Sequence, residues 1–165
     1  MGRPSDLLVK RAVELWKRML RSPKFDNGDP SPVGGMASMM AMMIPTNTTE
    51  ELLDKFGEEL EKNILTPSEH SPDYYPNTSL HVDYGPDKNL SDAAESAGLK
   101  CQFPWKTNMW IGDDCISVRY GYGAEGVYHY PLSDGKWLVT CLSGSEIEKI
   151  KKFVTDGTLP EFVVE

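Results

Sequence analysis

The sequence predicts a single α+β domain: an N-terminal helical layer packed on a mostly antiparallel sheet of four to six strands, with a C-terminal helix returning against it. Three observations carry that expectation. Apolar residues recur at spacings of three and four through residues 5–64, alternate at a spacing of two between short turns through 79–142, and return to helical spacing in 145–156. Strands joined by short turns pair antiparallel, and helices gathered at the two ends of a chain belong to α+β rather than alternating βαβ architecture. At 165 residues the chain is read as one domain, 1–165, since no linker divides it. A domain of this size buries about 70% of the surface its unfolded chain exposes, enough for a core without metals or disulfides, so no cofactor is expected.

Residues 5–21 form the first expected helix, with Ser5 as N-cap and Leu8, Ala12, Leu15, Trp16 and Met19 on its apolar side. Ser22-Pro23 stops it, and a loop rich in turn residues runs from Lys24 to Gly35. A short, almost wholly apolar helix is expected over 36–44, before Pro45. Thr48, with Glu51 three residues on, has capping-box spacing and opens a helix whose buried stripe is Leu53, Phe56, Leu60 and Ile64. The connector 65–78 is rich in proline and aromatics.

Leu80, Val82 and Tyr84 alternate with polar residues and predict a strand, followed by a short helix over 90–97 closed by Gly98. Further strands are expected near 99–103, 107–111, 114–120 and 126–132. Ser133-Asp134-Gly135 is a hairpin turn that returns the chain as a strand over 136–142. Ser145 with Glu148 marks the last helix, which Gly157 ends.

Composition narrows the function classes. The net charge of −8 repels phosphate backbones and anionic lipid, so neither nucleic acid nor a membrane surface is an expected partner. No apolar run approaches the roughly 18 residues of a membrane span, and no secretory leader is visible, so a soluble cytoplasmic protein is expected. Cys101, Cys115 and Cys141 form no Cys-x-x-Cys pair and read as reduced, buried thiols. Charge is uneven, +5 over residues 1–24 and −13 over the rest. Lys10, Lys17 and Arg21 line one edge of the first helix; they would either dock an acidic partner or rest against Glu50, Glu51, Asp54, Glu58 and Glu61 of the later helix, and the second reading is preferred.

Gly121-Tyr-Gly-Ala-Glu-Gly126 matches G-x-G-x-x-G, but Val127-Tyr128-His129-Tyr130-Pro131 follows it with strand propensity. No helix N-terminus is available there for a pyrophosphate, and a dinucleotide site is rejected. Met36, Met39, Met40, Met42 and Met43 crowd one short segment; such a helix is buried in the core or covered by a second subunit, which makes a homodimer through Met36, Met39, Met40 and Met43 an expectation to test.

Strand parity supplies the candidate site. If Leu80, Val82, Tyr84, Ile116, Val118, Tyr120, Tyr128, Tyr130 and Leu132 all face the helices, then His81, Asp83, Ser117, Arg119 and His129 share the opposite face. Arg119 and Ser117 would then bind a polar or anionic ligand, with Trp105 and Trp110 as rim aromatics. On this reading the chain is a small acidic binding or accessory protein that engages a partner protein or a small polar ligand. The alternative is a cofactor-free enzyme acting on a small polar or anionic metabolite, with His81 as general base oriented by Asp83, His129 as acid and Arg119 as anion clamp. His81, Asp83 and His129 match a two-histidine, one-carboxylate metal site in residue type only, and no metal is assigned.

Overall fold

The computed structural model describes residues 3–21, 46–83, 85–104, 106–121, 125–132, 136–141, 144–157 and 159–164. Among these residues the helices are α1 (Asp6–Arg21), α2 (Glu50–Ile64), α3 (Lys88–Ala97) and α4 (Gly144–Thr155). The strands are β1 (Ser79–His81), β2 (Thr107–Ile111), β3 (Ile116–Tyr120), β4 (Val127–Pro131), β5 (Trp137–Cys141) and β6 (Phe162–Val164). They form one sheet in sequence order, antiparallel from β1 to β5, with β6 parallel to β5 after the α4 crossover. The architecture is the predicted α+β class.

Helical periodicity sets the helix layer. α1 turns Leu8, Val9, Ala12, Val13, Leu15, Trp16, Met19 and Leu20 inward. α2 buries Leu53, Phe56, Leu60 and Ile64 as expected, but its cap is Thr49, one residue later than the sequence suggests, where the side-chain oxygen accepts from the Leu52 amide at 3.2 Å. The two helices approach closely at Gly57, where an added Cβ would lie 3.0 Å from both Val13 Cγ1 and Lys17 Cδ. Across the seam Lys17 Nζ donates to Asp54 at 2.7 Å and Arg21 grips Glu50 through Nε and Nη2 at 2.7 and 2.9 Å. Lys17 and Arg21 therefore complete a helix pair. α3 starts two residues earlier than expected because Asp87 caps it, and ends at Gly98, whose φ of 72° suits a residue without a Cβ.

On the sheet, Leu80, Met109, Ile111, Ile116, Val118, Val127, Trp137 and Val139 are buried beneath this layer. Phe103 joins the two helices at the centre, with its ring centroid 6.5 Å from Trp16 and 6.1 Å from Phe56. The segment 99–103 is not a strand: Lys100 instead exchanges hydrogen bonds with Asn47, its amide donating to Oδ1 at 2.6 Å and its carbonyl accepting from the Asn47 amide at 2.9 Å. The first strand stops at His81; beyond it the Val82 amide still donates to the Thr107 carbonyl at 2.9 Å, and Val82 makes an isolated bridge to Pro86. The sequence expectations omit β6 and the short 3-10 turn Pro76–Thr78; three residues are too few to show a period. The Met-rich segment 36–44 with its dimer expectation, Trp105, Tyr84, the 133–135 turn, residues 122–124 and the side chains of Cys141 and Ser145 lie outside the described residues.

Candidate functional site on the open face of the sheet

Alternate residues of the strands point away from the helices, and on that side no described helix covers them. Backbone register aligns them in rows. Ser79, Trp110, Ser117, Tyr128 and Thr140 lie opposite one another across five strands. A second row holds His81, Asn108 and Arg119. Near the other end, Tyr130, Leu138 and Val163 form a third. Tyr128 is 38% exposed and Val163 47%, whereas their strand neighbours Val127 and Val139 are buried.

Trp110 is the centre of this surface. The Arg119 guanidinium carbon sits 5.6 Å from its ring centroid, and the His81 imidazole meets the indole edge-on at 5.4 Å. A guanidinium on an indole is attracted by the negative ring face, by about 0.5–1 kcal/mol where solvent reaches it. His81 Nδ1 lies 3.0 Å from Asn108 Oδ1, an oxygen that accepts, so the contact is a hydrogen bond when Nδ1 carries the proton. Trp110 and Tyr128 stand two strands apart, about 10 Å, with the small Ser117 between them in register. A Cβ on Gly126 would lie 3.6 Å from Ser117 Oγ and 3.9 Å from the Tyr128 hydroxyl, so the phenol passes over the glycine and closes one side of a shallow trough.

The structure thus brings together His81, Ser117, Arg119 and Trp110 of the sequence-derived set. It does not bring Asp83 or His129 to them. Asp83 lies past the end of β1, exposed, with its carboxylate on the Lys106 ammonium, and the His81 ring takes Asn108 as its partner.

His129 faces the core, 2% exposed, because Ile116 is its register partner and both turn inward. Its Nε2 lies 2.9 Å from the Tyr120 hydroxyl, and its ring packs edge-on against Trp137 at 5.7 Å. Burial drives its pKa down to about 4, with backbone groups of Val127 and Ile116 offsetting part of the effect. His81 and His129 are therefore on opposite sides of the sheet and three strands apart, about 14 Å along the hydrogen-bonding direction. Neither the acid–base pair nor the metal set assembles.

Tyr128 and Tyr130 correct the same parity expectation from the other side, since both face outward. Tyrosine has an apolar body and a polar tip and suits either face, so the two phenols misled the phase; Val127, the β-branched residue of the strand, gave the right one.

Other chemistry is weak among the described residues. No group of three His, Cys, Asp or Glu is placed to hold a metal ion, and no helix is long and apolar enough to cross a membrane. Cys101 lies in the wall of an apolar groove of about 570 Å³ beside α3, where burial pushes its thiol up to about 12, far from a thiolate at neutral pH. Cys115 is free and its thiol is also raised, by burial and then by the Asp114 charge beside it. Comparison with known proteins finds no matching family model, no matching curated protein and no matching solved structure.

Proposed function

We propose that this chain is a non-catalytic binding protein and that the open face of the sheet receives a partner protein. The observation that supports this most is the Trp110–Arg119 stack, standing on a face that no described helix covers, beside Tyr128 and Tyr130. Trp, Tyr and Arg are the residue types that most often dominate the energetics of protein interfaces, because each combines a large apolar area with a directional polar group. The face is pleated, and the two grooves described among these residues lie elsewhere, so an apolar ridge on a protein suits it better than a small molecule does.

Scale bears on the kind of complex. Six strands of at most five residues span a plane of roughly 450 Å², about half of what each partner contributes to a stable interface. The complex is accordingly a transient one, or its partner continues onto the β6 edge. The two free cysteines among the described side chains and the acidic composition agree with a reducing, cytoplasmic setting.

The test is proximity capture with a photo-crosslinking amino acid at Thr140, at the far end of the Trp110 row. It is applied to the wild type, Trp110→Ala, Arg119→Ala and the remote surface variant Lys88→Ala, with circular dichroism to verify folding. A partner captured by the wild type and Lys88→Ala and lost from both face variants is the expected result. Equal capture by all four would remove the face from the account.

A further inference from the structure

A second polar site lies away from the open face, where α1, the start of β5 and the segment leading into β6 meet. Arg11, Glu14, Leu15, Arg18, Trp137 and Pro160 line a cleft of about 290 Å³ there. Arg11 and Arg18 are seven residues apart on one helix, so they share a face and stand two turns, about 10.5 Å, from each other with Glu14 and Leu15 between them. Arg11 is a fixed charge: its guanidinium lies 5.2 Å from the Trp137 ring centroid and donates to the Leu132 carbonyl at 3.2 Å. Arg18 is different. It is half-buried, and among the described residues no hydrogen-bond or ion-pair partner engages its five N–H donors.

A partly desolvated guanidinium gains most from an oxyanion, which accepts two parallel N–H bonds from the planar fork. The nearest carboxylate along the helix, Glu14, is drawn instead to Lys17 at 3.3 Å. We propose that this cleft is a binding site for a small monocarboxylate, with Arg18 as the direct ligand, Arg11 as a fixed positive neighbour, and Leu15, Trp137 and Pro160 against the apolar body. Glu14 sets the charge selectivity. With its anion the lining carries one net positive charge, which neutralises a monoanion, whereas a phosphate dianion would bring a larger desolvation cost, one uncompensated charge and stronger repulsion from Glu14 into the cleft. The volume lies at the lower bound of ligand cavities and suits a body of a few carbons.

The test is a two-dimensional NMR titration of the whole chain with butyrate, inorganic phosphate at pH 8 and chloride at matched ionic strength. The arginine Nε–H signals and the Trp137 indole N–H are followed. Butyrate is expected to saturate in the millimolar range, shifting Arg18 and Trp137 together, with phosphate at least fivefold weaker and chloride without a saturable effect. Arg18→Ala is expected to weaken butyrate tenfold or more and Arg18→Lys less. Glu14→Gln is expected to tighten phosphate more than butyrate, a change of preference that a purely structural role for either residue would not produce. Butyrate binding unaffected by Arg18→Ala, or matched by chloride, overturns the proposal, as does Glu14→Gln leaving the butyrate-to-phosphate ratio unchanged.

Discussion

The Tyr120 hydroxyl and His129 Nε2 lie 2.9 Å apart in the interior between the sheet and α4, the phenol also resting against Phe153 at 5.6 Å between ring centroids. The imidazole is 2% exposed there, and protonating it would place a charge where water does not reach.

That arrangement predicts acid sensitivity. The folded-state pKa of His129 is held near 4, below the usual 6.5, so the unfolded chain binds the proton first as pH falls. Stability from this residue is complete above about pH 6.5 and is lost as the pH falls toward 4; the shift corresponds to about 3 kcal/mol. Urea unfolding at pH 7, 5.5 and 4.2 should show that slope, and His129→Phe should flatten most of it. A slope unchanged in the variant would assign the acid sensitivity to other groups.

Asp87 links β1 to α3. One carboxylate oxygen accepts from the Leu90 amide at 2.9 Å and the other from the His81 amide at 2.8 Å, while the Asp87 amide donates back to the His81 carbonyl at 2.8 Å. Loss of an N-cap costs about 1 kcal/mol and loss of a second, part-buried hydrogen bond about another. Asp87→Ala should therefore lower unfolding free energy by about 2 kcal/mol and Asp87→Asn by about half that, measured by chemical denaturation. An Asp87→Asn variant as stable as the wild type would mean that the bond to His81 contributes little.

Gly57 sets how closely α1 and α2 pack. Alanine would gain up to about 1 kcal/mol of helix propensity, but its methyl would meet Val13 Cγ1 and Lys17 Cδ at 3.0 Å. The lysine stem can swing aside, whereas Val13 is 5% exposed and β-branched and has little freedom to move. Overpacking costs about 1–3 kcal/mol, so Gly57→Ala should destabilise by about 1 kcal/mol and Gly57→Leu by more. A stabilised alanine variant would show that the two helices can separate at little cost.

The ion pairs between α1 and α2 should matter little for stability. Arg21 holds Glu50 with two bonds and Lys17 holds Asp54, but both carboxylates are exposed, at 66% and 62% of their side-chain surface. Pairs of this kind contribute little and are screened by salt. Replacing Lys17 and Arg21 with Gln should cost measurably less in 1 M NaCl than in 50 mM NaCl. Because the Arg21 hydrogen bond and the Lys17 hydrogen bond hold Glu50 and Asp54 below their ordinary carboxylate values, the pairs contribute above those values and weaken as the carboxylates protonate.

The sequence alone determined the class of fold, the helix faces and most of the strands. Leu53, Phe56, Leu60 and Ile64 of α2 repeat at helical spacing and are buried as that spacing requires, and Gly98 and Gly157, at φ 72° and 79°, end their helices where chain chemistry allows. It also placed a basic edge on α1 and an acidic edge on α2. These are local or one-element properties, and local side-chain chemistry decides them.

Tertiary structure decided the phase of β4, and with it the site. Val127-Tyr128-His129-Tyr130-Pro131 reads equally well either way up, since tyrosine and neutral histidine are tolerated both in water and in a core with a hydrogen-bond partner. What turned His129 inward was the register of β4 with β3 and the Tyr120 hydroxyl waiting beneath the sheet, two facts that exist only once strands from different parts of the chain are paired. The same pairing turned Tyr128 outward in line with Trp110, and it stopped β1 at His81, leaving Asp83 to Lys106. A pleat reverses every side chain with a shift of one residue, so the residues on a sheet face are fixed by neighbours that the strand's own sequence does not contain.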